Sequence, residues 1–395
     1  MLQTTAVRPI RVLQVCTILL TARVFIAPVA RYLSTRKYEV AIACSTSDAP
    51  DGPRLAGDGA LAGIPVHPIP ISRTIHPIKD FLAIWKLYRL IKRFRPTIVH
   101  TQTSKAGVVG RLAARLAGTP IVIHTAHAFP FHSHLPPAVR WCYVVIERWM
   151  ARLTDLIIVD TESVRSDGLR EHVVNAPEKL VTVPMGLDLQ KFSPSKLGPG
   201  NLRAALGVGP QSLVVGTVAR LVPDKGMDCF LEMAARILAV RKDVQFFIAG
   251  DGPIRGTLQQ RAGELGIAPH ILFLGHRDDV RDLMEVMDVF VLPTKREGFG
   301  VVFAEAMAMG KATVGSLIGP VAEVVENGVT GYLVPPDDAQ GFAERVLGLL
   351  ADEKKRLDFG MAGRRRVEQH FDETRMCDSI EGHYRHLLEA RNICV

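Results

Sequence analysis

No stretch of this chain reaches the roughly 18 uncharged apolar residues that a membrane-spanning helix requires, so no such helix is expected. The nearest approach lies at the N-terminus. There Arg8 and Arg11 precede the apolar run V-L-Q-V-C-T-I-L-L-T-A and imitate a secretory signal. Gln14 interrupts that run and Arg23 ends it, which makes the segment the first strand of a strand–helix–strand unit. Cysteine is scarce. Cys16, Cys44, Cys142, Cys229, Cys377 and Cys394 show no ligand spacing, which excludes a zinc site and a disulfide framework and predicts reduced, buried thiols in a cytosolic chain. Tandem repeats and low-complexity tracts are absent, so a solenoid is excluded. G-D-G-P-I-R-G (250–256) lacks the G-x-G-x-x-G spacing, and Pro253 would remove a donor from the helix start, so it reads as a tight turn into a helix rather than a dinucleotide fingerprint.

Acidic residues are scarce in one region only. From Arg73 to Arg152 there are 13 basic residues and 2 acidic ones, and residues 1–190 carry net +10 against −2 for 191–395. Within that region K-D-F-L-A-I-W-K-L-Y-R-L-I-K-R-F-R interleaves Trp85, Tyr88 and Phe94 with Lys86, Arg89, Lys92 and Arg93. Such a basic, aromatic-bearing amphipathic helix suits an anionic membrane surface. Nucleic acid is not expected, because no recognition motif accompanies the charge.

The 395 residues suffice for two domains with separate cores, and strand and helix patterns alternate in the manner of α/β proteins. Seven strands are predicted near Val12, Val40, Val66, Ile98, Ile121, Ile157 and Val181, and six near Leu213, Phe246, Ile271, Val289, Ala312 and Tyr332. Between the sets lies F-S-P-S-K-L-G-P-G-N, whose Ser, Pro and Gly content marks a linker. The expected divisions are an N-terminal domain over 9–188, a linker over 189–205, a C-terminal domain over 206–370 and a final helix over 371–395.

The richest chemistry lies in K-R-E-G-F-G-V-V-F-A-E-A-M-A-M-G, where seven residues separate Glu297 from Glu305 around a strand-to-helix turn. Gly298 and Gly300 would leave backbone N–H groups uncovered at the helix start, where a partial positive charge favours phosphate or polarised hydroxyls. Upstream, V-V-G-T-V-A-R-L-V-P-D-K-G carries Arg220 and Lys225 on the loop after a predicted parallel strand. Charges on such loops are usually only solvated, yet this edge is where open α/β sheets bind ligands. A forked donor beside a point charge suits a diphosphate, and carboxylates suit hydroxyls, so a nucleotide sugar fits the set.

The order R-L-V-P-D-K-G, I-A-G-D-G-P, F-L-G-H-R-D-D-V, E-G-F-G-V-V-F-A-E-A-M-A-M-G and V-E-N-G-V-T-G-Y-L-V-P-P-D-D resembles the C-terminal half of the retaining family 4 glycosyltransferases. The resemblance implies the GT-B fold, two Rossmann-like domains with parallel sheets facing across a cleft, the last helix crossing back to the N-domain. It also implies that Arg220 and Lys225 hold the donor diphosphate, Glu305 the ribose hydroxyls and Glu297 the transferred sugar. Phe299 and Gly300 would present backbone N–H groups, and main-chain groups near Gly275 and Arg277 would read the base. In the N-terminal half, H-T-Q-T-S-K-A-G-V-V-G-R-L and H-T-A-H-A-F-P-F-H are similar to the bacterial subgroup that extends lipid-linked saccharides for surface polysaccharides. His127 matches the histidine that contacts the donor sugar's outer hydroxyls. Gln102 stands where the subgroup often has His, and Ala128 where it often has Gly, which points to an altered acceptor pocket.

The function implied is retaining, metal-independent transfer of a sugar, with UDP favoured as carrier, to a lipid-linked saccharide. It would take place in the cytoplasm, at the inner face of the membrane. No cofactor is expected beyond the donor co-substrate, because the polar motifs contain no Asp-x-Asp metal pair. Two alternatives use the same architecture: a sugar-nucleotide epimerase and a non-catalytic sugar-nucleotide-binding protein.

Overall fold

The computed structural model describes residues 9–46, 59–72, 74–132, 135–195, 202–209 and 211–393. Arg8, Arg73, Cys394 and residues 196–201 of the expected linker lie outside them. The chain divides into two units, Met1–Pro184 with Thr374–Val395, and Met185–Glu373. The described parts of 189–205, including the short helix Leu202–Ala205, fall in the second unit.

Seven strands build the sheet of the first unit: β1 (Ile10–Ile18), β2 (Tyr38–Ser45), β3 (Val66–Pro68), β4 (Ile98–Gln102), β5 (Ile121–Ala126), β6 (Leu156–Val159) and β7 (Leu180–Thr182). Their order is β3-β2-β1-β4-β5-β6-β7, with every pairing parallel. Near-continuous apolar runs such as β6, L-I-I-V, form such strands because helices cover both faces. Between β1 and β2 the backbone stays helical from Leu19 to Ser34, with a wide π turn at Ala22–Ile26.

The basic segment forms the helix Pro77–Phe94, whose start is capped by the His76 side chain accepting from Lys79 N. Ala83, Leu87 and Ile91, four residues apart, turn one face into the core beside the helix Ser104–Ala117. Burial of Leu87 alone contributes about 2 kcal/mol. The helix Pro137–Arg152 is anchored differently. Its Glu147 accepts from Arg111 at 3.1 Å with both side chains enclosed, and Arg111 Nε also donates to Gly107 O at 2.9 Å. Loss of one partner would strand a buried charge and cost about 3–5 kcal/mol. The outer face of this helix leaves Trp141 and Trp149 exposed, and Cys142 with them. That corrects the expectation of six buried thiols. The apolar run W-C-Y-V-V is wider than the face this helix buries, whereas Cys16, Cys44, Cys229 and Cys377 are buried.

The second unit holds β8 (Leu213–Val218), β9 (Val244–Ala249), β10 (Ile271–Gly275), β11 (Val289–Leu292), β12 (Ala312–Ser316) and β13 (Gly331–Val334), in the order β10-β9-β8-β11-β12-β13 and again all parallel. The C-terminal pattern is two helices. Glu353–His370 belongs to the second unit, and Glu373–Ala390 lies almost entirely in the first, where Tyr384 and Leu388 are fully enclosed.

Candidate active site

In each sheet the strand order reverses at one point, between β1 and β4 and between β8 and β11. Loops leaving the carboxyl ends of such strand pairs diverge and open a crevice where ligands bind. In the second unit the two loops are drawn together. Buried Thr294 lies 3.1 Å from Asp224 O through its hydroxyl, and Lys295 N donates to the same carbonyl at 2.8 Å. A Cβ on Gly226 would stand 1.9 Å from Pro293 O, and φ there is +65°. Only glycine allows this approach. Its consequence falls on the preceding residue: Lys225 Nζ meets Glu297 Oε1 at 2.5 Å, with both side chains mostly screened from solvent. Arg220, on the same loop, is exposed and makes no ion pair among the described residues.

Gly300, with φ +88°, starts the helix Val301–Ala308, and no side chain caps its N-terminus. The N–H groups of Val301 and Val302 remain available to an anion or a sugar hydroxyl, whereas Phe303 N donates to Gly300 O at 2.9 Å. The Phe299 ring is buried edge-on against Phe371, with centroids 5.2 Å apart, so the backbone of Phe299 is what it has to offer a ligand. Gly298 precedes it in the same turn. Glu305 follows one and a half turns after Gly300. Burial drives its carboxyl up to about 7, with Lys191 pulling the other way. On the far side of β8, Gly275 ends β10 and accepts from Gly250 N at 2.7 Å. The nearby Arg277 guanidinium is held by Asp279, through Nε–Oδ1 at 2.7 Å and a second contact. The structure thus brings Lys225 and Glu297 into contact, and Arg220, on the same loop as Lys225, makes no ion pair among the described residues.

His127 belongs to the first unit. It follows β5, with Nδ1 2.9 Å from Asp160 Oδ2 and Nε2 3.2 Å from Gln102 Oε1, and its ring packs on Phe25 at 4.3 Å. Asp160, just beyond β6, is almost fully enclosed. From Gln102 the contacts continue inward. Gln102 Nε2 donates to Gln14 Oε1 at 3.4 Å, Gln14 Nε2 to Tyr384 Oη at 3.1 Å, and Tyr384 Oη lies 2.6 Å from His100 Nδ1. Burial lowers the His100 pKa to about 3, so the ring is neutral, and its Nε2 lies 2.7 Å from Thr125 Oγ1. Because Gln14 donates to the Tyr384 oxygen, the Tyr384 hydroxyl donates to His100 Nδ1 and His100 Nε2–H to Thr125.

Sequence reasoning did not single out Asp160, His100, Thr294, Gly226 or Tyr384 as parts of the site. Gln14 had left a signal, as a polar residue in the middle of an apolar strand.

Two parallel Rossmann-like units with a cationic, carboxylate-bearing switch point define a GT-B glycosyltransferase. The description "Glycosyl transferases group 1" matches residues 200–366, and "Glycosyl transferase 4-like domain" matches 21–186. The chain is 32% identical to the UDP-Gal:alpha-D-GlcNAc-diphosphoundecaprenol alpha-1,3-galactosyltransferase of Escherichia coli, over 80% of this chain and 81% of that protein. It is 27% identical to the capsular polysaccharide biosynthesis glycosyltransferase CapM of Staphylococcus aureus, over 82% and 85%. Among solved structures, Anabaena HepE in complex with UDP and glucose superposes with a TM-score of 0.81 at 22% identity, covering 95% of this chain and 99% of that one. The protein belongs to the group 1, family 4-like glycosyltransferases.

Proposed function

We propose that this enzyme transfers a sugar from a UDP-sugar to a lipid-linked saccharide, with retention of anomeric configuration and without a metal, in the assembly of a cell-surface polysaccharide. The observation that carries this reading is the Lys225–Glu297 pair at the β8–β11 switch point, beside unpaired Arg220 and the uncapped helix that Gly300 opens. A UDP-sugar brings two negative phosphates and a ring of hydroxyls, and these residues supply cations for the first and a carboxylate for the second. Names of relatives support the substrates: the Escherichia coli protein acts on a diphosphoundecaprenol-linked sugar, and HepE has been crystallised with UDP-glucose.

In this reading Arg220 and Lys225 stabilise the charge that grows on the diphosphate as the C1–O bond breaks. The acceptor hydroxyl attacks on the face the diphosphate leaves, and its proton passes to the departing phosphate oxygen. Glu297 orients the sugar, released in part from Lys225 as the diphosphate takes that cation. Glu305 accepts from the ribose hydroxyls. The backbone of Gly298, Phe299 and Gly300 serves sugar or phosphate, main-chain groups near Gly275 and Arg277 serve the base, and His127 serves the sugar's outer hydroxyls. The exposed basic helix Pro77–Phe94 rests on the anionic inner leaflet of the cell membrane.

Incubation with labelled UDP-sugars and a polyprenyl-diphosphate saccharide should yield an α-glycolipid from an α-linked donor, undiminished in EDTA. A β-linked product by NMR would overturn retention, and full loss in EDTA restored by manganese would overturn metal independence. An epimerised donor with no glycolipid would overturn transfer itself.

A further inference from the structure

The first unit contains a cavity of about 510 Å3 that the donor chemistry does not use. Its volume is that of a small-molecule site. Ile75, Val108, Tyr143, Ile146, Trp149 and Met150 make most of its wall. The charged groups in that wall are already matched: Asp80 is paired with Lys105, and Glu147 with buried Arg111. A guest would therefore find mostly apolar surface and no unmatched charge, with Ser104 and Tyr143 as the other polar residues of the wall, which favours hydrocarbon over sugar or nucleotide.

The position of the cavity names what the hydrocarbon is attached to. Ser104 and Pro130 also line it: Ser104 opens a helix two residues after Gln102 ends β4, and Pro130 lies on the loop after β5 that carries His127. An apolar pocket and a polar site thus share the connections at the carboxyl ends of β4 and β5. The flanking helices bear Lys86, Arg89, Lys92, Arg93 and Arg152, none with a carboxylate partner among the described residues. Arg89 lies over Trp85 at 4.8 Å and Arg152 over Trp149 at 5.5 Å. A chain with an anionic head matches both the apolar wall and the surplus of cations on the helices that flank it.

We propose that this cavity binds the first stretch of the acceptor's hydrocarbon chain, next to its diphosphate, and so holds the saccharide end toward Gln102 and His127. The proposal rests on the lipid-linked acceptor reading given above. It makes the pocket a positioning site: a saccharide diphosphate lacking the chain is a poor acceptor because its sugar is not held in place.

The full chain carries three tryptophans, and Trp149 lines the pocket, so a Trp85→Phe/Trp141→Phe background leaves one reporter. The probes are 11-bromoundecyl diphosphate and 2-bromoethyl diphosphate, each below its micelle concentration and without vesicles. Saturable quenching by the long probe and none by the short one is expected. Adding Val108→Phe and Ile146→Phe should weaken the long probe's apparent affinity roughly tenfold or more, by filling the space it occupies. Thermal melting and UDP binding of that variant report whether the fold survives. Non-saturable quenching, equal quenching by both probes, or unchanged affinity in a folded pocket-filled variant would overturn the proposal. Quenching without any sugar transfer to an undecyl-diphosphate saccharide would remove the acceptor reading and leave the pocket standing. Transfer without saturable quenching would do the reverse.

Discussion

At the scale of single residues, the proposed function divides the work of the second unit between two cations and two carboxylates. Lys225 rests against Glu297, while Arg220 reaches solvent without a carboxylate. If both cations act on charge that develops as the bond breaks, alanine at either position lowers kcat roughly 10²-fold or more. Steady-state kinetics check this, and a change confined to KM would assign them to ground-state binding. The same pairing predicts an asymmetry between the glutamates. Glu297→Gln cripples turnover and leaves UDP affinity near that of the parent, whereas Glu305→Gln weakens UDP itself. Glu305 carries a further signature, because its carboxyl is raised to about 7 in the fold against 4.5 for the free group. Below the lower value both states are protonated and folding gains nothing. Between the two values the unfolded chain ionises first, so stability falls as pH rises, and above about 7 the whole cost is felt. Glu305→Gln therefore raises the melting temperature of the ligand-free protein at pH 8. UDP binding has the opposite slope, since a carboxylate accepts from both ribose hydroxyls: calorimetric affinity drops as pH falls below about 7, and in the Gln variant that dependence disappears.

At the scale of elements, loops and helices set these side chains in place, and they differ in how far the sequence announces them. The thirteen strands among the described residues lie where they are predicted, most of them as apolar runs, because a strand covered on both faces is apolar throughout. The basic helix is equally plain, since its charges and aromatic residues repeat with the helical period. Replacing Lys86, Arg89, Lys92 and Arg93 with Gln should weaken binding to anionic liposomes, each charge contributing about 1 kcal/mol near the surface. Co-sedimentation checks it, and unchanged binding would clear this helix of the role. Other features left little trace. The helix Pro137–Arg152 has an apolar sequence broad enough to pass for core, and only the Arg111–Glu147 anchor shows which face is inside. Gly226 looks like any glycine after a turn. Its importance is a distance to Pro293 O, 67 residues away in sequence, and no local pattern encodes that. Gly226→Ala should push the two loops apart, displace Lys225 from Glu297 and lower kcat/KM on the order of 10²-fold. A normal far-ultraviolet spectrum would show that the loss is local.

At the scale of the whole molecule, the family and the two-sheet plan are legible from motif order and alternation. The polar chain from Thr125 through His100, Tyr384, Gln14 and Gln102 to His127 is not. It joins residues of three strands, β1, β4 and β5, with the last helix, and contacts separated by as many as 370 positions leave no period to read. That last helix has a consequence in time. The first unit takes Thr374–Val395 as part of itself, so a growing chain must make the whole second unit before the first can close. Until then Gln14 and His100 wait without Tyr384, two polar groups at the heart of a sheet whose partner has not yet been translated. Residues 1–184 released alone should be loose around β1 and β4, with fast amide exchange there, and a separate peptide covering 374–395 should tighten them. In this enzyme the sequence's last helix is also the final piece of its first domain.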